Sequence, residues 1–335
     1  MRKTIKRILC LTLAAAMVAF SFASCGSSSD SSKDDSKKSD DKTYTVGICQ
    51  LVQHEALDAA TKGFKEALTK KLGDKVKFDE QNASGEANNC ATIVNKFVSD
   101  NVDLIMANAT PALQAAYNAT PNIPIVATSV TDYATALDMD VKDWTGKTGI
   151  NVTGTADLAP LDQQAAMFKE LLPDVKNVGI IYCSAEANSK FQAVEITKQL
   201  KKLGISSKEY SFADTNDVSA VVTKAVSECD ALYAPTDNTV ASNGKLINDI
   251  AEPAGIPLIA GEEGICRLCG IATLSITYYD IGYSAGEMAY DILVNGKDPA
   301  DMDIQYSEKL QKKYDKARCD KYNIKIPDGY EALAD

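Results

Sequence analysis

The fold is constrained most strongly by an alternation of short β-rich runs with amphipathic helical runs, which occurs twice along the chain. The first series begins at Thr43 and the second at Val178. In the first helical run, Leu57, Ala60 and Phe64 recur at the spacing of a single helix face. Such an alternation is typical of a parallel sheet covered by helices on both faces. The sequence therefore predicts an α/β fold with two similar, doubly wound parallel-sheet lobes.

The two series also correspond to each other locally. VDLIMANATP in the first corresponds to CDALYAPTDN in the second, and IPIVATSVTD corresponds to IPLIAGEEG. A later run, GIATLSITYYDIGYSAGEMAYDILVNGK, predicts a strand and a helix that return to the first lobe, before the chain returns to the second. These returns predict a multi-strand hinge. The predicted N-terminal lobe comprises residues 43–152 and about 274–297, and the predicted C-terminal lobe comprises 153–273 and about 298–335.

The start of the chain has the pattern of an export signal. A basic start precedes the apolar run ILCLTLAAAMVAF, which is too short to span a bilayer comfortably. The small residues Ala23 and Ser24 precede Cys25, and together they resemble the lipobox of bacterial lipoproteins, although Phe22 stands where that motif usually has an aliphatic residue. Residues 1–24 are therefore predicted to be a lipoprotein signal peptide, after which Cys25 would carry lipid.

The residues after Cys25 predict a flexible tether. From residue 26 to 42 the chain holds no apolar side chain and cannot build a core. We therefore expect residues 25–42 to link a lipid anchor to the folded lobes, on the extracytoplasmic face of the cell membrane. An ordinary signal peptide, in which Cys25 is incidental, is the alternative.

Charge and cysteine content exclude several classes of function. The net charge is −11, which argues against nucleic acid or anionic lipid as direct partners. The cysteines outside the predicted signal and anchor are odd in number, and several lie in apolar runs, which predicts small buried hydrophobic side chains. CRLC, at Cys266 to Cys269, has metal- or redox-type spacing. No second pair or histidine lies nearby in sequence, so we expect a structural role, no metal site and no cofactor.

Several longer runs resemble the substrate-binding lipoproteins of ABC importers, which have the type I periplasmic-binding-protein fold. Within that family the chain is similar to the branch associated with aromatic amino acids, especially tryptophan. The runs that carry the resemblance are GICQLVQHEALDAATKGFKEAL, NATPALQAA, IPIVATSVTD, NVTGTADLAPLDQQ, IIYCSAEANS, YAPTDNTVAS and TYYDIGYSAGEMA.

The resemblance implies a monomeric receptor that binds tryptophan, phenylalanine or tyrosine in the interlobe cleft and delivers it to an ABC permease. The sequence has no Walker loop, so the ATPase is expected on separate subunits. A branched aliphatic amino acid, a sugar or a nucleoside is the alternative ligand. An exported enzyme is the alternative class, although the sequence offers no coherent nucleophile and base.

Candidate ligand-binding residues follow from the predicted strand ends. In open parallel sheets, ligands bind beyond the carboxyl ends of the strands. These ends are rich in Ser, Thr, Asn, Asp and Glu, and neither Arg267 nor Arg318 falls at one of them. Because a phosphate or dicarboxylate site usually recruits Arg, this composition favours an amino-acid zwitterion. The predicted ligand-binding residues are Gln50, Leu51, Thr110, Thr128, Ser129, Ser184, Glu186, Asn188, Ser189, Thr236, Asp237, Asn238, Glu262 and Tyr278.

Several of these residues have an ordinary structural alternative. Asp237 and Thr110 stand at predicted helix starts, where N-caps also occur. The family resemblance favours a ligand contact for Asp237, and Glu262 is the second candidate for an ammonium partner. His54, the only histidine, lacks a recognisable nucleophile and is expected in a loop or cap. Gln50 is expected as the polar partner of an aromatic side chain. The residues expected to form its apolar walls are Leu51, Val52, Val130 and Tyr278.

Overall fold

Two β-sheets, one in each lobe, carry the fold. The computed structural model describes residues 42–140, 142 and 144–334. The predicted signal peptide, Cys25 and the predicted tether up to residue 41 lie outside the described residues. The predicted architecture of two doubly wound, mainly parallel-sheet α/β lobes is confirmed.

The strands of both lobes are short. They are β1 (Tyr44–Gln50), β2 (Val76–Asn82), β3 (Leu104–Asn108), β4 (Ile125–Val130), β5 (Val152–Ala156), β6 (Asn177–Cys183), β7 (Ser206–Phe212), β8 (Ala231–Ala234), β9 (Leu258–Ala260), β10 (Ala272–Ser275), β11 (Gln305–Tyr306), β12 (Gln311–Tyr314) and β13 (Tyr330–Ala332). The first sheet has the order β11-β5-β4-β3-β1-β2, and the second has the order β13-β12-β10-β9-β8-β6-β7. Every pairing between these strands is parallel except that of β10 with β12.

Helices follow most strands and cover both faces of each sheet. They are α1 (Glu55–Leu72), α2 (Ala87–Ser99), α3 (Thr110–Ala119), α4 (Tyr133–Ala136), α5 (Leu161–Leu171), α6 (Ala187–Lys202), α7 (Val218–Glu228), α8 (Asn238–Ser242), α9 (Gly244–Ala251), α10 (Glu263–Cys269), α11 (Tyr278–Leu293) and α12 (Lys316–Lys321). Leu104 of β3 packs with Phe64 of α1 and Met288 of α11. Its neighbour Ile105 packs on the opposite face with Phe97 of α2. Because successive strand residues point to opposite faces, a strand buried throughout needs helices on both sides.

The chain crosses between the lobes three times. The crossing segments are residues 157–160, 276–277 and 307–310. Each segment follows a strand (β5, β10 or β11) at the same end of its sheet. Together the three segments form the hinge.

The lobe boundaries differ from the predicted ones at three points. β5 belongs to the first sheet, whereas the predicted boundary after residue 152 put nearly all of it in the C-terminal lobe. β10 lies in the second sheet, although the sequence predicted that this strand returns to the first lobe. β11 pairs with β5 in the first sheet, although residues from about 298 were expected in the C-terminal lobe. The difference at β5 has a reason in the sequence. The centre of this fully buried strand is Thr153, Gly154 and Thr155, so it lacks the apolar run from which the other strands were predicted.

Helices α1 and α11 approach each other at glycines. A Cβ atom on Gly282 of α11 would lie 2.0 Å from the carbonyl oxygen of Ala60. A Cβ atom on Gly63 of α1 would lie 2.2 Å from the carbonyl oxygen of Tyr279. Real Cβ atoms do not approach an oxygen so closely, and these positions therefore admit only glycine at this helix spacing.

Other sequence expectations can be compared with the described residues. The cysteines from Cys49 to Cys319 are buried and carry free thiols, and Cys266 and Cys269 pack in the core of the second lobe. Over the part of the chain that the structure describes, no helix combines the length and the apolar character needed to cross a bilayer.

We expect Gly282→Ala to destabilise the protein by about 3 kcal/mol, because the added methyl group forces α11 away from α1. The free energy of unfolding, measured by urea denaturation of residues 41–335, checks this. Ser284→Ala, a half-buried position on the same helix, is the control and should change the free energy by less than about 0.5 kcal/mol. Equal effects of the two substitutions would contradict the close-packing interpretation.

Candidate ligand-binding site

Two neighbouring cavities lie between the lobes, at the carboxyl ends of strands from both sheets. The inner pocket has a volume of about 10 Å³ and is lined by His54, Leu57, Ser129, Asp157, Asn188, Thr236, Asp237, Asn238, Ala241, Glu262 and Tyr278. The outer cavity has a volume of about 260 Å³ and is lined by residues 51–52, 84–87, 111, 183, 185–186, 213–215, 238–239 and 242. Asn238 lines both.

The inner pocket brings three buried carboxyl groups together. Asp157, Asp237 and Glu262 are each less than 5% exposed, and no lysine or arginine lines the pocket. Burial raises the pKa of Asp157 to about 6 and that of Glu262 to about 7. Burial, followed by the nearby charge of Glu186, also raises the pKa of Asp237. Among the described residues, no group of three or more His, Cys, Asp and Glu side chains is arranged to hold a metal ion.

Two of these carboxylates also act as helix caps. Asp237 accepts hydrogen bonds from the backbone N–H groups of Cys183, at 2.6 Å, and Val240, at 2.7 Å. Glu262 accepts from the backbone N–H groups of Gly264, at 2.7 Å, and Ile265. The capping alternative therefore holds for Asp237 at the start of α8, and Glu262 caps α10 in the same way.

Asp157 has a different set of partners. Its carboxylate accepts from two hydroxyl groups, Tyr278 Oη at 2.9 Å and Thr131 Oγ1 at 3.0 Å. Asp157 follows β5 at the first crossing segment, and Tyr278 begins α11 at the second. Hydroxyl donors can rotate towards another acceptor, whereas backbone N–H groups cannot. Of the three carboxylates, Asp157 is therefore the one whose hydrogen-bond donors can reorient.

The inner pocket also holds buried polar atoms without a hydrogen-bond partner. These are Ser129 Oγ and Asn188 Oδ1. Ser129 has φ of 56°, and Ala109, at the end of β3, has φ of 90°. Positive φ is strained for residues other than glycine and is concentrated at functional sites. A buried hydroxyl without a partner costs free energy, which a ligand that bonds to it would recover.

Side chains from the two lobes meet around these cavities. His54 Nε2 lies 3.1 Å from Asn238 Oδ1, and burial lowers the pKa of His54. At the edge of the interface, Arg267 Nε lies 3.2 Å from a carboxylate oxygen of Glu55. These contacts join α1 of the first lobe to α8 and α10 of the second, so the two lobes are closed on each other.

A family model described as ABC transporter substrate binding protein matches residues 45–335. The chain belongs to this family. The family comprises solute-binding proteins of ABC transporters.

Relatives and solved structures support this assignment. This substrate-binding protein is 37% identical over 304 residues to a tyrosine-binding protein of Clostridioides difficile (strain R20291), covering 89% of this chain and 87% of the relative. It is similar to the crystal structure of an ABC domain in complex with L-Trp from Streptococcus pneumonia, at a TM-score of 0.82 and 30% identity, covering 87% of this chain and 100% of that chain. It is also similar to the ligand-free, open structure of a substrate-binding protein with adhesive properties from Clostridium difficile, at a TM-score of 0.66 and 35% identity, covering 87% and 99%.

These two structures differ in how well they match the arrangement of the lobes. The ligand-free, open structure has the higher sequence identity but the lower TM-score. The complex with L-Trp therefore resembles this substrate-binding protein more in shape than the open structure does. This agrees with the contacts that join the two lobes.

Most of the predicted ligand-binding residues line one of the two cavities. The inner pocket brings together Ser129, Asn188, Thr236, Asp237, Asn238, Glu262 and Tyr278. The outer cavity brings together Leu51, Glu186 and Asn238, and also Val52, which was expected to form an apolar wall.

The remaining predicted residues have other partners or positions. Gln50 donates to Asp58 and accepts from Thr61, so it fixes β1 to α1. Thr128 accepts from Thr155 within the first sheet. Ser184 donates to a backbone carbonyl at the end of β7. Two further predicted residues lie outside both linings: Thr110, whose buried hydroxyl has no partner, and Ser189, which accepts from Asn188.

Sequence reasoning missed Asp157, Leu57 and the role of His54. Asp157 was missed because β5 was not recognised as a strand, although Asp157 stands directly after it in NVTGTADLAP. His54 was expected in a loop or cap, and it is the residue before α1. Its contact with Asn238 across the cleft depends on lobe closure, for which sequence carries no signal.

We expect Asp157→Asn to stabilise the unliganded protein by about 1–2 kcal/mol at pH 8, because it removes an unpaired buried charge. The folded-state pKa of Asp157, about 6, lies above the ordinary value. Its ionisation therefore lowers stability as the pH rises from about 4 to 6, and the difference from wild type should vanish below pH about 4.

Urea unfolding at pH 8 and at pH 4 measures this difference. Asp328→Asn, at an exposed acid in the second lobe, is the matched control and should show no such pH dependence. A variant that is destabilised equally at both pH values would show that Asp157 stabilises the fold by its hydrogen bonds instead.

Proposed function

We propose that this chain is a lipid-anchored, extracytoplasmic receptor of an ABC importer that binds an aromatic amino acid, tryptophan, phenylalanine or tyrosine, and delivers it to the permease. The observation that carries the ligand class is the inner pocket, which has three buried carboxylates and no lysine or arginine. Such a pocket favours a ligand that brings its own positive charge.

Different residues around this pocket offer partners for the two charged groups of a zwitterion. Asp157 is the partner for the ammonium group, because its two hydrogen bonds come from hydroxyl groups. The caps Asp237 and Glu262 add negative potential without changing partners. The Ser129 hydroxyl, which has no partner in the protein, is the donor for the ligand carboxylate.

The relatives support an aromatic amino acid as the proposed ligand. One relative is a tyrosine-binding protein, and one similar structure is a complex with L-Trp. In this chain Leu51, Val52 and Pro111 give the outer cavity apolar walls, as an aromatic ring requires.

Closure of the two lobes is the step that a permease would sense. The inner pocket is lined from the first lobe by Ser129 and Asp157 and from the second by Asn188 and Glu262. A ligand that contacts both sets binds the closed state more tightly than the open state and shifts the population towards closure. The Glu55–Arg267 ion pair is partly exposed and adds at most about 1 kcal/mol to closure.

Calorimetric titration of residues 41–335, which form one compact unit, tests the ligand class. The protein is unfolded and refolded to remove carried-over ligand and is then titrated with the twenty amino acids, ribose and adenosine. We expect binding of tryptophan, phenylalanine or tyrosine alone. Ser129→Ala should weaken it about tenfold, by loss of one hydrogen bond to a charged group, without lowering stability.

Ser219→Ala, at an exposed serine of α7, is the control and should bind like wild type. Binding of ribose or adenosine alone would refute the amino-acid proposal. Binding of leucine or isoleucine at equal strength would replace the aromatic class by the aliphatic one.

The lipid anchor rests on Cys25 and is tested on the full-length chain in a bacterial host. We expect Cys25→Ala to abolish incorporation of labelled fatty acid and to move the protein out of the membrane fraction. Cys10→Ala is the matched control, because Cys10 lies within the predicted signal peptide and is removed with it. Unchanged labelling of Cys25→Ala would exclude this anchor.

A further inference from the structure

The carboxyl groups of the inner pocket come from both lobes. Asp157 follows β5 of the first sheet, whereas Asp237 and Glu262 stand in the loops after β8 and β9 of the second. All three side chains line a space of about 10 Å³, which is about the room that one water molecule needs. The closed arrangement of the lobes therefore keeps three carboxyl groups out of bulk water, and opening the cleft would hydrate them together.

The charged and titratable groups around these carboxyl groups supply little positive charge. The His54 side chain stays neutral near pH 7, because burial lowers its pKa. Arg267 of α10 is cationic, but it pairs with Glu55 at 3.2 Å and with Glu263 at 2.8 Å. The groups that face the three carboxyl groups from the neighbouring elements are His54 and Glu55 at the start of α1, Tyr133 of α4, Cys183 of β6, Glu186 before α6, Glu263 and Arg267 of α10, and Tyr278 of α11.

The pocket also contains a hydrogen-bond acceptor that lacks a donor. Asn188 Oδ1 is buried, lines the inner pocket and has no partner. The amide nitrogen of Asn188 donates to a carboxylate oxygen of Glu186 at 3.2 Å and to the carbonyl oxygen of Thr236 at 3.1 Å, which orients the amide. A carboxylate can only accept hydrogen bonds, whereas a protonated carboxyl group can also donate one. A proton in this pocket therefore supplies both a positive charge and a donor, as an ammonium group does.

Proton binding depends on whether the lobes are closed. Burial raises the pKa of Glu262 to about 7 and that of Asp157 to about 6, and burial and the charge of Glu186 raise the pKa of Asp237. In an open cleft the carboxyl groups are hydrated, and their pKa values return towards the ordinary value of about 4. The closed state therefore binds more protons than the open state between about pH 4 and pH 7, and a falling pH favours closure.

We propose that protons and a cationic ligand compete for the inner pocket, so that protonation of its carboxyl groups closes the unliganded receptor and ligand binding releases these protons. This inference rests on the proposed function for the charge of the ligand. In the exchange, each carboxyl group that pairs with the ammonium group loses its proton to the solvent. The receptor therefore binds its ligand in neutral surroundings and loses affinity for it in acidic ones.

Small-angle X-ray scattering of refolded residues 41–335, without ligand, tests closure by protons. We expect a smaller radius of gyration at pH 5.5 than at pH 8.0. The double variant Asp157→Asn, Glu262→Gln carries neutral amides in place of two carboxyl groups, so it should be as compact at pH 8.0 as wild type is at pH 5.5. Asp157→Asn alone leaves the cap of α10 intact and should show part of this change.

Asp328→Asn, at an exposed acid in the second lobe, is the matched control. It removes one negative charge outside the cleft and should respond to pH as wild type does. A wild-type radius of gyration that is the same at pH 5.5 and pH 8.0 would overturn closure by protons.

Calorimetric titration with L-tryptophan and L-tyrosine tests the competition. Both ligands remain zwitterions between pH 5.5 and pH 7.5, and two buffers with different ionisation enthalpies count the protons that binding releases. We expect release of about one proton at pH 6.5, and a dissociation constant at least about tenfold higher at pH 5.5 than at pH 7.5. Glu262→Gln should release fewer protons, whereas His54→Gln should release as many as wild type.

The outcomes separate this inference from the proposed function. If an aromatic amino acid binds without releasing protons and equally well at both pH values, the inference fails and the amino-acid receptor stands. If proton release disappears in His54→Gln but not in Glu262→Gln, the histidine is the titrating group and the inference fails. If no aromatic amino acid binds but the unliganded protein is more compact at pH 5.5, closure by protons stands and the proposed ligand class fails.

Discussion

The rest of the structure depends on the close contact between α1 and α11. The two helices can touch through backbone atoms only because Gly63 and Gly282 have no side chain. β10 lies in the second lobe, and α11, which follows it, packs against α1 in the first lobe. This packing fixes the position of Tyr278 at the start of α11. Tyr278 in turn donates to Asp157, which follows β5 at another crossing segment. The packing of α1 against α11, the hinge and Asp157 are therefore linked through Tyr278. A change in the spacing of α1 and α11 would move Tyr278 and, with it, the hydrogen bond to Asp157.

The buried carboxylates show how binding and stability oppose each other. Asp237 and Glu262 recover part of their desolvation cost by capping α8 and α10, so each supports the fold while it adds charge to the inner pocket. Asp157 caps no helix, and its side-chain partners are two hydroxyl groups. A protein selected for stability alone would replace it by an amide or an apolar residue. That the lobes close over these groups without a lysine or arginine in the pocket lining is the physical argument for a cationic ligand group.

Sequence predicted the two-lobed fold because its main signal, the alternation of apolar strands with amphipathic helices, is local. It failed at β5, whose buried centre is built from Thr153, Gly154 and Thr155, and with β5 it lost Asp157. It also failed to separate caps from ligand contacts. Asp237 and Glu262 are helix caps that also line the inner pocket, so capping a helix does not exclude a contact with a ligand. Gln50 was predicted as a ligand contact, but its side-chain partners Asp58 and Thr61 lie on α1. The sequence does not distinguish an amide that bonds to the helix after its own strand from one that faces a cleft.

The position of the hinge determines how far each part of the cleft moves when the protein opens. The crossing segments adjoin β5, β10 and β11, whereas the outer cavity lies towards the far edges of the sheets, at β2 and β7. Rotation about the hinge displaces each atom in proportion to its distance from the axis. Opening therefore increases the distance between Glu86 and Asp214 by more than it displaces Asp157, which lies beside the axis. The outer cavity is accordingly the part of the cleft that opening exposes most to water.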